Sequence, residues 1–319
     1  MKVIQVLDRP ASQSFYEVAG RLLFIENFDL RLGNLIERLC AGWQLTPTSS
    51  HEKSPDIRIS FFCGGALPEV PRDLNEFEIA EGGKCYTGGD DLYLALADSL
   101  LHLQNGAVVT VTIWIQKLPG ASNPTLARVT SFAICAALRR FGTFEVHGAG
   151  VVDPESEKGV LIIGPSGSGK STLALELAKA GWSYLSDDEL LLTLNNGEIE
   201  ARGFRSFFAV READDGLKTC FQPDALFACE RRSQTIPGLL LFTRFAGEQK
   251  TELTKLTQVE TMTRLIRSCP WATYDTSVAG DNLEVLSALA RQAIAFDLFA
   301  GRDLLEPRHA SELISHHTR

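Results

Sequence analysis

The run Gly164-Pro165-Ser166-Gly167-Ser168-Gly169-Lys170-Ser171-Thr172 places glycines, a lysine and hydroxyls at the spacing G-x-x-x-x-G-K-[S/T], the pattern of a loop that cradles phosphate. Glycines let successive backbone N–H groups face phosphate oxygens. Lys170 would reach the β- and γ-phosphates of a nucleotide, and the Ser171 hydroxyl would sit on Mg²⁺. ATP and Mg²⁺ are therefore the expected ligands. Gly164, Ser166, Gly167, Ser168, Gly169, Lys170, Ser171 and Thr172 are the expected nucleotide contacts. A second signal is the pair Asp187-Asp188. One carboxylate can bind Mg²⁺, directly or through water, while the other accepts the proton of an attacking hydroxyl. A solvated acidic turn is the competing reading. His147 is a third candidate: an imidazole near the γ-phosphate could shuttle a proton or hold the acidic pair, against the plainer reading of a core histidine. Among the downstream arginines, Arg205 and Arg202 rank ahead of Arg211 and Arg244 as phosphate-binding forks, because they leave the hairpin that follows the acidic pair.

These side chains need elements to carry them. Residues 159–163 read as a buried strand and residues 173–179 as a helix whose N-terminus adds its dipole to the loop. Gly181 ends that helix. Residues 144–152 read as a strand carrying His147-Gly148, expected beside the loop strand. Residues 183–186 form a short strand that delivers Asp187-Asp188. Residues 190–194 and 198–203 flank Asn195-Asn196-Gly197, a hairpin signal. Residues 237–245 read as another buried strand, and residues 281–299 as a long helical stretch.

Upstream, residues 30–43 have helical apolar spacing and residues 56–62 alternate as a strand. Residues 92–103 and 108–115 flank Asn105-Gly106 and read as an antiparallel hairpin, with a helix as the competitor for the first arm. A helix capped by Asn123, opened by Pro124 and ended by Gly142 is expected to pack on the sheet that carries the loop. The expected division is an N-terminal α/β region over 1–125, for substrate or partner binding, and a catalytic P-loop domain over 126–319.

Composition narrows the classes. The 319 residues are 45% hydrophobic and carry a formal charge of −9, which argues against a general nucleic-acid binder. No apolar run approaches about 18 residues, so no membrane span is expected. The first ten residues lack the apolar stretch of a secretory signal. Cys40, Cys63, Cys85, Cys135, Cys220, Cys229 and Cys269 are scattered without a C-x-x-C pair, which fits small buried thiols in a reducing cytoplasm. His316-His317 reads as a solvated, frayed end.

The segment from His147 to about Gly203 resembles the catalytic domain of HPr kinase/phosphorylase. The elements that carry the likeness are His147-Gly148, the loop from Gly164 to Ser171, Leu175-Glu176-Leu177 ending at Gly181, and Ser186-Asp187-Asp188. The resemblance implies an α/β P-loop fold related to phosphoenolpyruvate carboxykinase. It implies an acidic pair serving metal binding and base catalysis, with His147 close by. Which aspartate is the base stays open, with Asp187 favoured and Asp188 joining Ser171 on the metal. The family's C-terminal signature bearing glycine and asparagine is absent, and the N-terminal half differs from its regulatory domain. The chain is closer to HPr-kinase-related proteins that lie beside peptide-modification genes, such as lasso-peptide kinases. That implies a serine of a peptide or small protein as acceptor and, from the related kinase, a homo-oligomer. A small-molecule kinase and a nucleotide-gated regulator are the alternatives. A transporter-type ATPase and a GTPase fit less well, since neither Leu-Ser-Gly-Gly-Gln nor Asn-Lys-x-Asp occurs.

Overall fold

Residues 9–49, 53–79, 82–118, 124–211, 218–222, 229–245, 247 and 250–318 are described by a computed structural model. It is mixed α/β and divides into two units. The first comprises Met1–Ala41, Leu45–Gly142 and Thr273–Gly280; the second comprises Gly42–Gln44, Thr143–Ala272 and Asp281–Arg319.

In the first unit the strands are β1 (Ser12–Val18), β2 (Arg21–Asn27), β3 (Thr46–Pro47), β4 (Ile57–Cys63), β5 (Asn75–Ile79), β6 (Gly83–Gly88), β7 (Asp91–Leu96), β8 (Ser99–Gln104) and β9 (Val109–Ile115), with helices α1 (Leu30–Ala41) and α2 (Pro124–Arg139). Among the described residues they form one sheet in the order β3-β1-β2-β4-β9-β8-β7-β6-β5. The β8–β9 ladder ends at Gln104↔Thr110, so the hairpin around Asn105-Gly106 forms. The competing helix does not. Residues 92–103 are themselves two strands, closed at Leu96↔Ser99.

Helix α2 packs on β7, β8 and β9 of this unit, not on the loop-bearing sheet as the sequence suggests. The alternation of β8 and β9 buries Leu101, Leu103, Val111 and Ile113. That face supplies the apolar partner for the wide stripe of α2, which buries Leu126, Val129, Ala133 and Ile134. Gly142 follows the helix at φ 74°, and the two units divide directly after it. Asn123, the expected cap, lies outside the described residues.

The second unit contains β10 (Thr143–Val152), β11 (Gly159–Ile163), α3 (Lys170–Lys179), β12 (Ser183–Ser186), β13 (Glu189–Asn195), β14 (Glu198–Gly203), β15 (Phe208–Arg211), β16 (Lys218–Phe221), β17 (Gln234–Thr235), β18 (Pro237–Phe245), β19 (Glu252–Lys255) and α4 (Gln258–Ser268). The end of α5 (Trp271–Tyr274) and the start of α6 (Ala279–Gln292) belong to the first unit; the rest of α6, β20 (Ile294–Ala300) and α7 (Pro307–Thr318) complete the second. The main sheet runs β17-β14-β13-β10-β11-β18-β20-β19, and β12 also pairs with β10. The central strands β11, β18 and β20 are parallel. Val160–Ile163 of β11 and Leu239–Phe242 of β18 are buried apolar runs, as expected of parallel strands covered on both faces. The core beneath the loop joins Val160, Ile162, Leu173, Leu177, Trp182 and Leu241. The β13–β14 hairpin turns at Asn196 (φ 51°) and Gly197 (φ 85°), as the Asn-Gly signal implies.

Two expectations change here. The helix over 281–299 stops at Gln292, and residues 294–300 form β20, whose short apolar run packs between β18 and β19. Periodicity cannot separate a buried strand from a helix over so few residues. His316 and His317 lie in helix α7 rather than in a frayed end. His317 packs on Phe296 with ring centroids 4.5 Å apart, and the buried Thr318 hydroxyl donates to Asp153 Oδ2. Burial and the neighbouring charge of His316 hold the His317 imidazole below its usual pKa.

Cys40, Cys85, Cys135 and Cys269 are buried, and Cys63 and Cys229 are half-buried. Among the described residues no helix is long and apolar enough to cross a membrane.

Candidate active site

Strand β11 is buried along its length and ends at Ile163, directly before Gly164. A Cβ on Gly164 would lie 2.7 Å from both Ser168 Oγ and the Thr243 carbonyl, so the loop leaves the strand only with glycine there. Gly167 (φ 81°) and Gly169 (φ 92°) take left-handed backbone that side chains disfavour. Ser168 Oγ lies 2.9 Å from Thr243 Oγ1, which ties the loop to β18. Helix α3 begins at Lys170, whose ammonium donates to the carbonyls of Gly164 (2.8 Å) and Pro165 (3.0 Å). Ser166 is exposed in the loop, while Ser171 and Thr172 are half-buried in the first turn of α3.

The acidic pair sits in a break of a strand. Strand β12 pairs with residues 150–152 of β10, and β13 pairs with residues 143–147 of the same strand, in the same direction. Residues 183–195 are thus one interrupted strand along β10, with a bulge-like register shift at Gly150/Val151. The interruption is Asp187-Asp188. Glu189 N–H donates to the Asp187 carbonyl at 2.9 Å, and Asp188 has φ 72°. This is a γ-turn of the strained, positive-φ kind. Gly148 N–H donates to the Asp188 carbonyl at 3.1 Å and bridges the gap. A Cβ on Gly148 would lie 2.8 Å from the Ile162 carbonyl, so the glycine of His147-Gly148 is sterically required.

The turn sends the two carboxylates to different partners. Asp187 is buried and accepts a 2.7 Å hydrogen bond from Ser171 Oγ. Asp188 is half-exposed, with Oδ1 3.4 Å from His147 Nδ1 and Oδ2 3.9 Å from Arg205 Nη2. Arg205 is held by Glu189 Oε2, at 2.9 Å from Nε and 2.8 Å from Nη2, and its guanidinium lies over the Trp43 ring. The tertiary structure therefore brings His147, Lys170, Ser171, Asp187, Asp188 and Arg205 into one region of the second unit. Arg202 is not among them; it is engaged by Glu200 at 2.5 Å.

A distant likeness stands beside this geometry. The Hpr(Ser) kinase/phosphatase from Coxiella burnetii is similar to this chain at 14% identity, with a TM-score of 0.34 over 54% of this chain and 95% of that one. No protein-family model matches the chain, and no curated protein matches it. Similarity at that level carries no functional weight; the local geometry does.

Several contributors to the site have no local sequence signal. Gln44 Nε2 donates to the carbonyls of Leu185 (2.7 Å) and Arg205 (3.0 Å). Trp43 pairs with Arg205 as an isolated bridge, and its ring stacks on Phe204. Ser186 Oγ donates to the Glu189 carbonyl (2.7 Å) across the acidic turn and accepts from Arg205 N–H (2.9 Å), tying the turn to the segment after β14. A cleft of about 380 Å³ opens beside the loop, lined by His147, Gly164, Pro165, Arg244, Arg264 and Arg267 among others.

The donor set suits a hard cation. Ser171 and Asp187 offer adjacent oxygens, and Mg²⁺ typically takes one or two carboxylates together with substrate phosphates and water. Among the described residues no cluster of three or more His, Cys, Asp or Glu side chains competes for a softer metal.

Proposed function

We propose that this chain is an ATP- and Mg²⁺-dependent kinase that phosphorylates a serine hydroxyl of a peptide or small protein. The observation that carries this reading is the divergence of the acidic pair, with Asp187 on Ser171 and Asp188 facing His147. A site that only holds a nucleotide needs the first carboxylate but not the second. On this reading Asp187 and Ser171 would hold Mg²⁺, and Asp188 is the base. That exchanges the roles favoured from the sequence.

Loop amides and Lys170 hold the β- and γ-phosphates. Asp188 takes the proton from the acceptor hydroxyl as that oxygen bonds to the γ-phosphorus. The bond from the γ-phosphorus to the β–γ bridging oxygen breaks, and ADP leaves with that electron pair. His147 holds the Asp188 carboxylate in place. Bound Mg²⁺ would supply charge neutralisation at the phosphates.

The test is incubation of the purified chain with γ-labelled ATP, Mg²⁺ and serine-containing peptides. Label on serine that disappears in Asp188→Asn supports the reading. ATP binding without transfer to any hydroxyl would favour the nucleotide-gated regulator. Unchanged ATP affinity in Lys170→Ala would remove the loop assignment itself.

A further inference from the structure

We infer that the cleft beside the loop selects an acceptor bearing an anionic group, a carboxylate or a phosphate, close to its hydroxyl. This inference rests on the kinase reading above.

The cleft's charge runs against that of the chain. The whole protein carries −9, yet Arg244, Arg264 and Arg267 line this one cleft against a single carboxylate, Asp297. Arg264 and Arg267 lie one turn apart on α4, a spacing that puts them on the same side of a helix. The start of α4 is secured by a capping box between Thr257 and Glu260. Arg264 is committed, making a two-point contact with Asp297 at 3.1 and 2.6 Å. Arg244 and Arg267 are exposed, and among the described residues neither has a carboxylate at ion-pair distance. The Arg244 guanidinium lies 6.0 Å from the Phe299 ring centroid. Two guanidinium groups with no ion-pair partner among the described residues therefore border a cavity. Planar guanidinium groups match carboxylate and phosphate oxygens in pairs.

The position of the cleft points to the acceptor rather than the nucleoside. Its wall includes Gly164 and Pro165, whose carbonyls hold the Lys170 ammonium. That lysine reaches the β- and γ-phosphates in loops of this pattern. His147, the partner of the proposed base, lines the same cleft. The acceptor hydroxyl must approach the γ-phosphate from this side.

The experiment uses the full chain and matched serine peptides whose neighbouring residues are Glu, phosphoserine or Gln. Calorimetric binding and phosphate transfer are both measured. The Glu or phosphoserine peptide is expected to bind about tenfold tighter than the Gln peptide, as for hydrogen bonds to a charged group. Arg244→Gln with Arg267→Gln should erase that preference and leave ATP affinity unchanged. Arg267→Glu should move the preference towards a Lys-flanked peptide, an outcome that misfolding cannot produce. Comparing the two anionic peptides identifies which anion is preferred. Equal binding of anionic and neutral peptides overturns the inference whether or not transfer occurs. A loss of ATP affinity in the double variant also overturns it, because the cleft then holds nucleotide phosphate. Selective anionic binding without transfer leaves the cleft assignment standing and sinks the kinase reading instead.

Discussion

Ser171 Oγ donates a 2.7 Å hydrogen bond to Asp187 Oδ1, and this bond joins the start of α3 to the break between β12 and β13. It commits Asp187 to the loop and leaves Asp188, the next residue, to face His147. The two carboxylates should therefore fail differently. Asp188→Asn is expected to lower kcat by about 10²–10⁴-fold, the range for losing a general base, with little change in the Mg²⁺ requirement. Asp187→Asn should raise the Mg²⁺ concentration that gives half-maximal rate. Magnesium titrations of both variants check this. Identical magnesium curves would contradict the division of roles.

Gln44 spans the Leu185 and Arg205 carbonyls, on the strand that presents the acidic pair and on the segment after β14. Gln44→Ala leaves those acceptors short of a donor in a half-buried setting, at a cost of about 1–3 kcal/mol. Because Leu185 leads into the acidic turn and the Arg205 side chain approaches Asp188, kcat should fall along with the melting temperature, while ATP affinity holds. A thermal scan paired with steady-state kinetics would expose the opposite case, in which stability falls and turnover does not.

Asp275 gives the first unit a pH-dependent anchor. Its carboxylate is buried and meets Arg139 Nη1 at 3.1 Å and Arg140 Nη1 at 2.8 Å. Burial alone would raise its pKa, but the Arg139 charge and the Arg140 hydrogen bond outweigh it, and the net shift is downward. A depressed folded pKa means that the stabilisation is complete above the unfolded carboxylate value, about 3.9. It is lost as pH falls through the folded value. Resistance of the wild type to urea should therefore fall below about pH 4. Asp275→Asn should lower stability at neutral pH by about 3–5 kcal/mol, as expected when one partner of a buried pair is removed. It should also flatten the acid limb. An acid limb of unchanged slope in the variant would rule out Asp275 as its source.

Much of the site was legible because its signals are local. The run Gly164 to Thr172 carries its turn chemistry in its own residues, with Gly167 and Gly169 at positive φ. Asn196-Gly197 closes its hairpin by the same local geometry. His147 and Asp187-Asp188 were readable as candidates, since residue type and neighbouring strands mark them.

Other features were invisible for the opposite reason. The stripe on α2 states that it must be buried but not against which sheet; that depends on the apolar face β8 and β9 present. The run at 294–300 became a strand because β18 and β19 flank it. Trp43 and Gln44 carry no motif, and they matter only because the chain returns them to Arg205 across a separation of 161 residues for the Gln44 contact.

The sequence by itself determined which groups are on offer: a glycine-rich loop ending in a lysine, a hydroxyl after that lysine, two adjacent carboxylates and an imidazole. Backbone conformation and residue type are local properties, and those suffice for such an inventory. Only the tertiary structure decided which carboxylate serves which partner. Adjacent residues on a regular strand point to opposite faces, but Asp187 and Asp188 occupy a positive-φ turn where that rule lapses. The ladder of β10, the hydrogen bond from Gly148 and the clamp of Ser186 and Gln44 set their directions instead. None of those constraints lies within the acidic pair itself.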